Sequence, residues 1–244
     1  AYIHRSADVQ KALGCILRSK SFDNGTVCAS EQSIIVERSM ENRVRETASG
    51  MGFYFMSTSE ANSLAKLLFR PSGALNPEIV GKPAVTLAQM AGFPVPNGTK
   101  VLVAREQEAG PTRPYSMEKL CPVLAFFVME SEDAVLEKAV EVLTHEGSGH
   151  TFAFHGEDTA VIRKFALQIP VSRFLVNTPA ALGGIGATTN LFPALTLGCG
   201  AVGGSSSSNN ISPLDLVNIR RVAWDCGQRT EKTAVSINSD LVEL

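Results

Sequence analysis

Apolar positions along the chain follow two spacings. Val9, Leu13, Ile16 and Leu17 recur every three to four residues, which places them on one helix face. Ser6 stands ahead of them as the expected N-cap, so the chain is expected to run from Ala1 directly into a helix. Asp23-Asn24-Gly25 then signals a turn, because Asn and Gly tolerate positive φ. The β-branched run from Ser33 to Glu37 reads as a buried strand. Residues 38–50 read as a polar helix and 52–58 as a short strand. Ser59 is the expected N-cap of an amphipathic helix.

Residues 71–98 are rich in Pro and Gly, with a short helix expected at 83–91. Strands follow at 100–104, 122–129, 150–155 and 172–177, separated by amphipathic helices after Ser131 and Glu157. The stretch 121–129 is apolar almost throughout, as in a central strand covered on both faces. This alternation predicts a three-layer α/β domain with a mainly parallel sheet. From residue 178 the texture changes: Gly and Ser dominate 183–208, and residues 216–224 then read as a further strand.

Composition narrows the function. The 244 residues are 44% hydrophobic, enough for one large or two modest domains. A net charge of −2 argues against nucleic acid or a membrane surface as partner. Four His and five Cys without a CxxC pair point away from zinc, and an odd number of scattered cysteines suits a reducing cytoplasm. No apolar run reaches 18 residues.

Several residues stand out as chemistry. Cys28 lies between the Asp-Asn-Gly turn and the first strand, where a thiol can be presented to a site, although an isolated cysteine is more often a small core residue. Glu118 precedes the central strand; such an acid is either solvated rim or a holder of sugar hydroxyls. His150 opens the next strand, as a satisfied histidine or as a proton-carrying neighbour of the thiol. Gly198, Gly200 and Gly203 have GxGxxG spacing, but the Ser- and Asn-rich sequence after them cannot open a helix, so a dinucleotide fingerprint is not expected. A tight loop making a close backbone approach fits better.

The stretches FDNGTVCASEQSIIVE, EKLCPVLAFF, GHTFAFH, RFLVNTPAALGGIGATTNLFPALTLGCGAVGG and NIRRVAW occur in an order and spacing that resemble the CoA-acylating aldehyde dehydrogenases, of the acetaldehyde/propionaldehyde type. The resemblance covers nearly the whole chain. It implies the aldehyde dehydrogenase catalytic domain over 1–225, a C-terminal tail at 226–244 used as an oligomerisation strand, and a cofactor-binding half lying outside this sequence. Cys28 would be the nucleophile, with Asn24 in its lead-in. Glu118 and Pro122 would belong to the motif that holds the nicotinamide ribose, leaving the thiol untouched. His150, Asn177, Gly183 and Gly184 would border the active site or the CoA side. NAD and coenzyme A are the implied cofactor and co-substrate, with a short-chain aldehyde as substrate. The working form would be a cytoplasmic homo-oligomer, in some members inside a bacterial microcompartment. Two rival readings remain: a Cys28/His150 acyl-transfer enzyme without a nicotinamide, and a non-catalytic assembly module.

Overall fold

The computed structural model describes residues 1–225. Its contacts divide the chain into two units, Ala1–Ile211 and the segment from Ser212 onward. The proposed tail strand at 226–244 and Cys226 lie outside the described residues.

The first unit carries seven strands: β1 (Tyr2–Ile3), β2 (Ser33–Glu37), β3 (Phe53–Phe55), β4 (Val101–Arg105), β5 (Val123–Met129), β6 (Gly149–His155) and β7 (Val171–Val176). All are parallel to their neighbours, in the order β3-β4-β5-β2-β1-β6-β7. Between them run α1 (Val9–Ser21), α2 (Glu41–Ser49), α3 (Thr58–Leu68), α4 (Ala84–Met90), α5 (Glu132–His145), α6 (Thr159–Gln168) and α7 (Ala180–Gly184).

Successive strand residues point to opposite faces, and each face has its own core. Val123, Ala125 and Phe127 pack with Leu64 and Leu68 of α3, Leu87 of α4, Val135 of α5 and Phe165 of α6. Leu124 and Phe126 pack on the other side with Leu13 and Ile16 of α1 and Val44 of α2. The expected three-layer α/β arrangement is therefore present, and β5 is buried on both faces as its apolar run requires.

Four local expectations are corrected. The chain begins with a strand, not a helix: Tyr2 and Ile3 pair with Ile35 and Val36 on one side and with Phe154 and His155 on the other. The cap of α1 is Asp8, which accepts from the Lys11 N–H, because Ser6 is taken up by His4 and by the N–H groups of Glu157 and Asp158. The cap of α3 is Ser57, in a reciprocal capping box with Glu60, rather than Ser59. Residues 216–224 form no strand. Among the described residues of the second unit only a 3-10 turn at Pro213–Leu216 is regular, since a strand exists only where another backbone pairs with it. Among the described residues no helix is long and apolar enough to cross a membrane.

Candidate active site

The loop between α1 and β2 is shaped by three consecutive residues in the left-handed region. Asp23 has φ 46°, Asn24 φ 49° and Gly25 φ 77°. At Gly25 a side chain is excluded outright, since a Cβ there would lie 2.9 Å from the backbone carbonyl of Cys121. Thr26 closes the turn by donating to the Asp23 carboxylate at 2.6 Å. Beneath the loop, the buried Lys20 amine reaches Ser30 Oγ at 3.4 Å. The result is an exposed Cys28 followed by buried Ala29, Ser30 and Glu31.

Cys28, Glu118 and His150 line one cavity of about 270 Å³. Each lies before or at the beginning of an apolar run, and in a parallel sheet that puts all three at the amino ends of β2, β5 and β6. Open α/β sheets usually bind ligands at the carboxyl ends. Val142 and Leu143 of α5, Phe152 of β6 and Ala180 of α7 supply apolar wall, while Thr151 and Ser116 add hydroxyls.

The electrostatics are coupled across the cavity. Burial pushes the Cys28 thiol up, and the Glu118 carboxylate pushes it further; the N–H groups of Ala29 and Cys28 itself oppose this by favouring the thiolate. Glu118 is half-buried and raised in turn, by burial and then by Glu146. The fold thus brings Glu118, which the resemblance assigns to the ribose alone, into the same cavity as the sulfur. His150 is lowered by burial and by Arg173, so its imidazole is neutral at neutral pH. Its Nδ1 pairs with Thr151 Oγ1 at 2.9 Å, which holds the ring in the cavity wall.

Glu31 lies two residues ahead of β2. Its Oε1 accepts from the Ala180 N–H at 3.1 Å, while Oε2 is buried without a partner. Ser33 Oγ and Gln32 Nε2 are likewise buried and unpaired, and all three residues line the cavity.

The remaining candidates are placed as follows. Gly184 abuts the loop that carries Cys28, where a Cβ would come 3.1 Å from the Ala29 Cβ. Gly183 packs against Thr178, with 2.7 Å left for a Cβ. Pro122 is buried, and its carbonyl accepts from Leu102 at 2.9 Å, so it serves the β4–β5 ladder. Asn24 shapes the turn without lining the cavity. Asn177 sits past the carboxyl end of β7, the opposite end of the sheet, where its amide pairs with the backbone of Gly156. It lines a different groove, with Cys15 and His155.

The glycine triplet is a close-packed loop, as its sequence context requires. A Cβ on Gly198 would lie 2.2 Å from Ser207 O, and one on Gly203 would lie 2.6 Å from Ser148 O. Sequence reasoning missed Arg173, whose buried guanidinium donates to Gly198 O at 2.6 Å and holds this loop on β7. An arginine inside the strand pattern at 172–177 was the available signal. Among the described residues no group of three or more His, Cys, Asp or Glu is placed to hold a metal.

No protein-family model matches the chain. The aldehyde-alcohol dehydrogenase of Streptococcus pneumoniae serotype 4 is 38% identical over 231 residues, covering 91% of this chain and 26% of that protein. A probable aldehyde dehydrogenase from Listeria monocytogenes EGD-e is 54% identical with a TM-score of 0.90, covering 93% of this chain and 50% of that one. An acetylating aldehyde dehydrogenase from Geobacillus thermoglucosidasius is 41% identical with a TM-score of 0.89, covering 94% and 51%. The chain thus spans half the length of these solved relatives and a quarter of the curated one.

Proposed function

We propose that this chain, which belongs to the CoA-acylating aldehyde dehydrogenases, supplies the thiol-bearing part of an enzyme that oxidises a short-chain aldehyde to its acyl-CoA. The observation that carries this reading is the shared cavity of Cys28, Glu118 and His150.

The residues fit one end of a nicotinamide dinucleotide. Glu118 makes no side-chain hydrogen bond among the described residues and lines the cavity, so its carboxylate can accept from ribose hydroxyls. The phosphates find no cradle in the filled glycine loop. When bound, NAD or NADP supplies the hydride acceptor that turns a Cys28 thiohemiacetal into a thioester.

Cys28 acts first as nucleophile. Its proton leaves to the neutral His150, and the thiolate adds to the aldehyde carbonyl. The N–H groups of Cys28 and Ala29, which already favour negative charge at the sulfur, are the local donors for the charge that develops. After oxidation, and once His150 has released its first proton to solvent, the CoA thiol gives up its proton to His150 and attacks the thioester carbonyl. The C–S bond to Cys28 breaks, releasing acyl-CoA and the Cys28 thiolate. A thiol needs less activation than water.

Mass spectrometry on the longer protein, after one turnover with aldehyde and NAD and without CoA, is the direct test. An acyl adduct on Cys28 that CoA removes is expected; acylation of another residue, or none, overturns the reading. Omitting NAD separates it from the nicotinamide-free Cys/His alternative, which would still transfer acyl groups. This chain by itself is expected to bind NAD more weakly than about 1 mM by calorimetry, because one charged hydrogen-bonding group contributes about 1.5–3 kcal/mol.

Homo-oligomerisation of the working protein is supported by exposed Leu214, Leu216, Ile219, Val222 and Trp224, apolar side chains that solvent alone gives no reason to present.

A further inference from the structure

The cavity that holds Cys28 has a polar floor that neither aldehyde addition nor acyl transfer uses. Glu31 and Ser33 are 4% and 5% exposed, and Gln32 stands between them in the chain. All three line the cavity with Cys28. Two of them are anchored at one atom only. Glu31 Oε1 accepts the Ala180 N–H at 3.1 Å, and Gln32 Oε1 accepts the Lys119 N–H at 3.2 Å. Both donors are backbone groups of other segments, which holds the two side chains in place. The other half of each is buried and without a partner among the described residues, as is the serine hydroxyl: Glu31 Oε2, Gln32 Nε2 and Ser33 Oγ. Three such atoms on one cavity are costly unless a polar group meets them there. Ile35, Val142, Leu143 and Phe152 line the same cavity and suit a short carbon chain.

The donor and acceptor types identify the polar group. The bond to Lys119 orients the Gln32 amide, so Nε2 is a donor only. Glu31 Oε2 accepts when ionised and can donate when protonated, and burial raises that carboxyl. Ser33 Oγ does either. The ligand must accept from Gln32 and suit Glu31 in both forms. A hydroxyl does so, because it donates once and accepts twice. A carboxylate tail would meet Glu31 and Glu118 in one cavity, and a plain alkyl tail would leave all three atoms bare. We propose that Glu31, Gln32 and Ser33 form a hydroxyl subsite, and that the preferred substrate is a short aldehyde bearing a hydroxyl group. The inference deepens the acylating reading and takes its chemistry from it. On addition, the Cys28 sulfur bonds to the carbonyl carbon, the carbonyl π bond opens, and the thiol proton ends on the former carbonyl oxygen. The second hydroxyl of the substrate stays in the floor.

Thiohemiacetal formation is reversible and needs neither NAD nor CoA. The experiment therefore reads protection of Cys28 from iodoacetamide, by peptide mapping on this chain, in two matched pairs: glycolaldehyde against acetaldehyde, and lactaldehyde against propionaldehyde. Free glutathione in the same samples corrects for each aldehyde's intrinsic reactivity toward thiols. After that correction, the hydroxylated member of each pair is expected to protect at about one-tenth the concentration of its plain counterpart, because a site built to pair a hydroxyl disfavours the analogue that lacks it. Ser33→Ala and Glu31→Gln should each narrow that ratio. Equal protection within the pairs, as solvent alone in the floor would give, overturns the proposal. So does a ratio that both variants leave unchanged. If neither variant folds, the ratio in the unmodified chain decides. In the longer protein with NAD and CoA, the same preference should appear in kcat/KM. Failure to oxidise any of these aldehydes would count against the acylating reading and leave the protection ratio standing as a separate result.

Discussion

Glu31, three residues past Cys28, accepts the backbone N–H of Ala180 at 3.1 Å, across 149 residues of chain. Ser19 Oγ takes the next N–H, that of Ala181, at 2.8 Å. These two bonds fasten α7 and the glycine-rich segment after it to the helix and loop that carry Cys28. Burial holds the Glu31 carboxyl above its ordinary range. A carboxyl raised in the folded state contributes fully below its unfolded value and loses that contribution as pH rises toward the folded one. Glu31→Gln should therefore flatten the fall in stability above about pH 4.3. Glu31→Ala, which leaves the Ala180 N–H buried and unpaired, should cost about 1–3 kcal/mol in urea unfolding. An equal effect of the two variants would remove the hydrogen bond from the argument.

Glu118→Gln should make Cys28 a faster target. The Glu118 charge is the second cause, after burial, of the raised thiol. Removing it should increase the iodoacetamide rate near neutral pH by roughly three- to tenfold, the thiolate fraction scaling tenfold per pKa unit. Peptide mapping should also find Cys28 labelled ahead of buried Cys121 and half-buried Cys15, whose thiols burial holds up. A rate unchanged by Glu118→Gln would place that carboxylate outside the field of the sulfur.

Gly149→Ala and Gly98→Ala form a matched pair. Both glycines have positive φ, 78° and 90°. A Cβ on Gly149 would lie 1.9 Å from Cys199 O, whereas one on Gly98 would meet nothing within 4 Å. Gly98→Ala should cost only its backbone strain, about 1 kcal/mol. Gly149→Ala must displace the glycine loop and should cost roughly 3 kcal/mol or more, with new protease cleavage in 196–210. Equal costs would show that the loop does not lean on β6.

Lys119 and Lys20 are fully buried amines, lowered by burial to about 7 and about 8. An unfolded lysine titrates near 10.4, so between about pH 7 and pH 10 the unfolded chain holds more protons and stability rises with pH. Lys119 donates to the carbonyls of Tyr115 and Met117 at 2.7 and 2.6 Å. Lys119→Met should flatten that rise: it forfeits about 1–3 kcal/mol of hydrogen bonding at high pH and recovers the cost of burying a charge below about pH 7. Urea midpoints at both ends of the range would show the difference; a parallel loss at all pH values would contradict it.

The strand and helix pattern could be read from the residues because it depends on local periodicity. The run from Val123 to Met129 is apolar on both sides wherever it is placed, and its position between β4 and β2 uses that property. The Asp23-Asn24-Gly25 turn and the close-packed glycine loop were equally legible, since each rests on what a single residue's backbone tolerates. Even the site had a signal: Cys28, Glu118 and His150 each come just before or at the start of an apolar run, and a parallel sheet aligns those starts.

What no window of sequence contains is the identity of neighbours. Tyr2 and Ile3 are too few to show a period and become a strand only because β2 and β6 offer them backbone on both sides. Asn177 follows its strand rather than preceding it, and strand direction alone carries it to the far edge of the sheet. Arg173 reads as an ordinary charged position until the loop at 198–208 closes over it. The coupling of Glu118 to Cys28 bridges 90 residues, and an electrostatic field acts through space, so it exists only once the two strands' amino ends stand side by side.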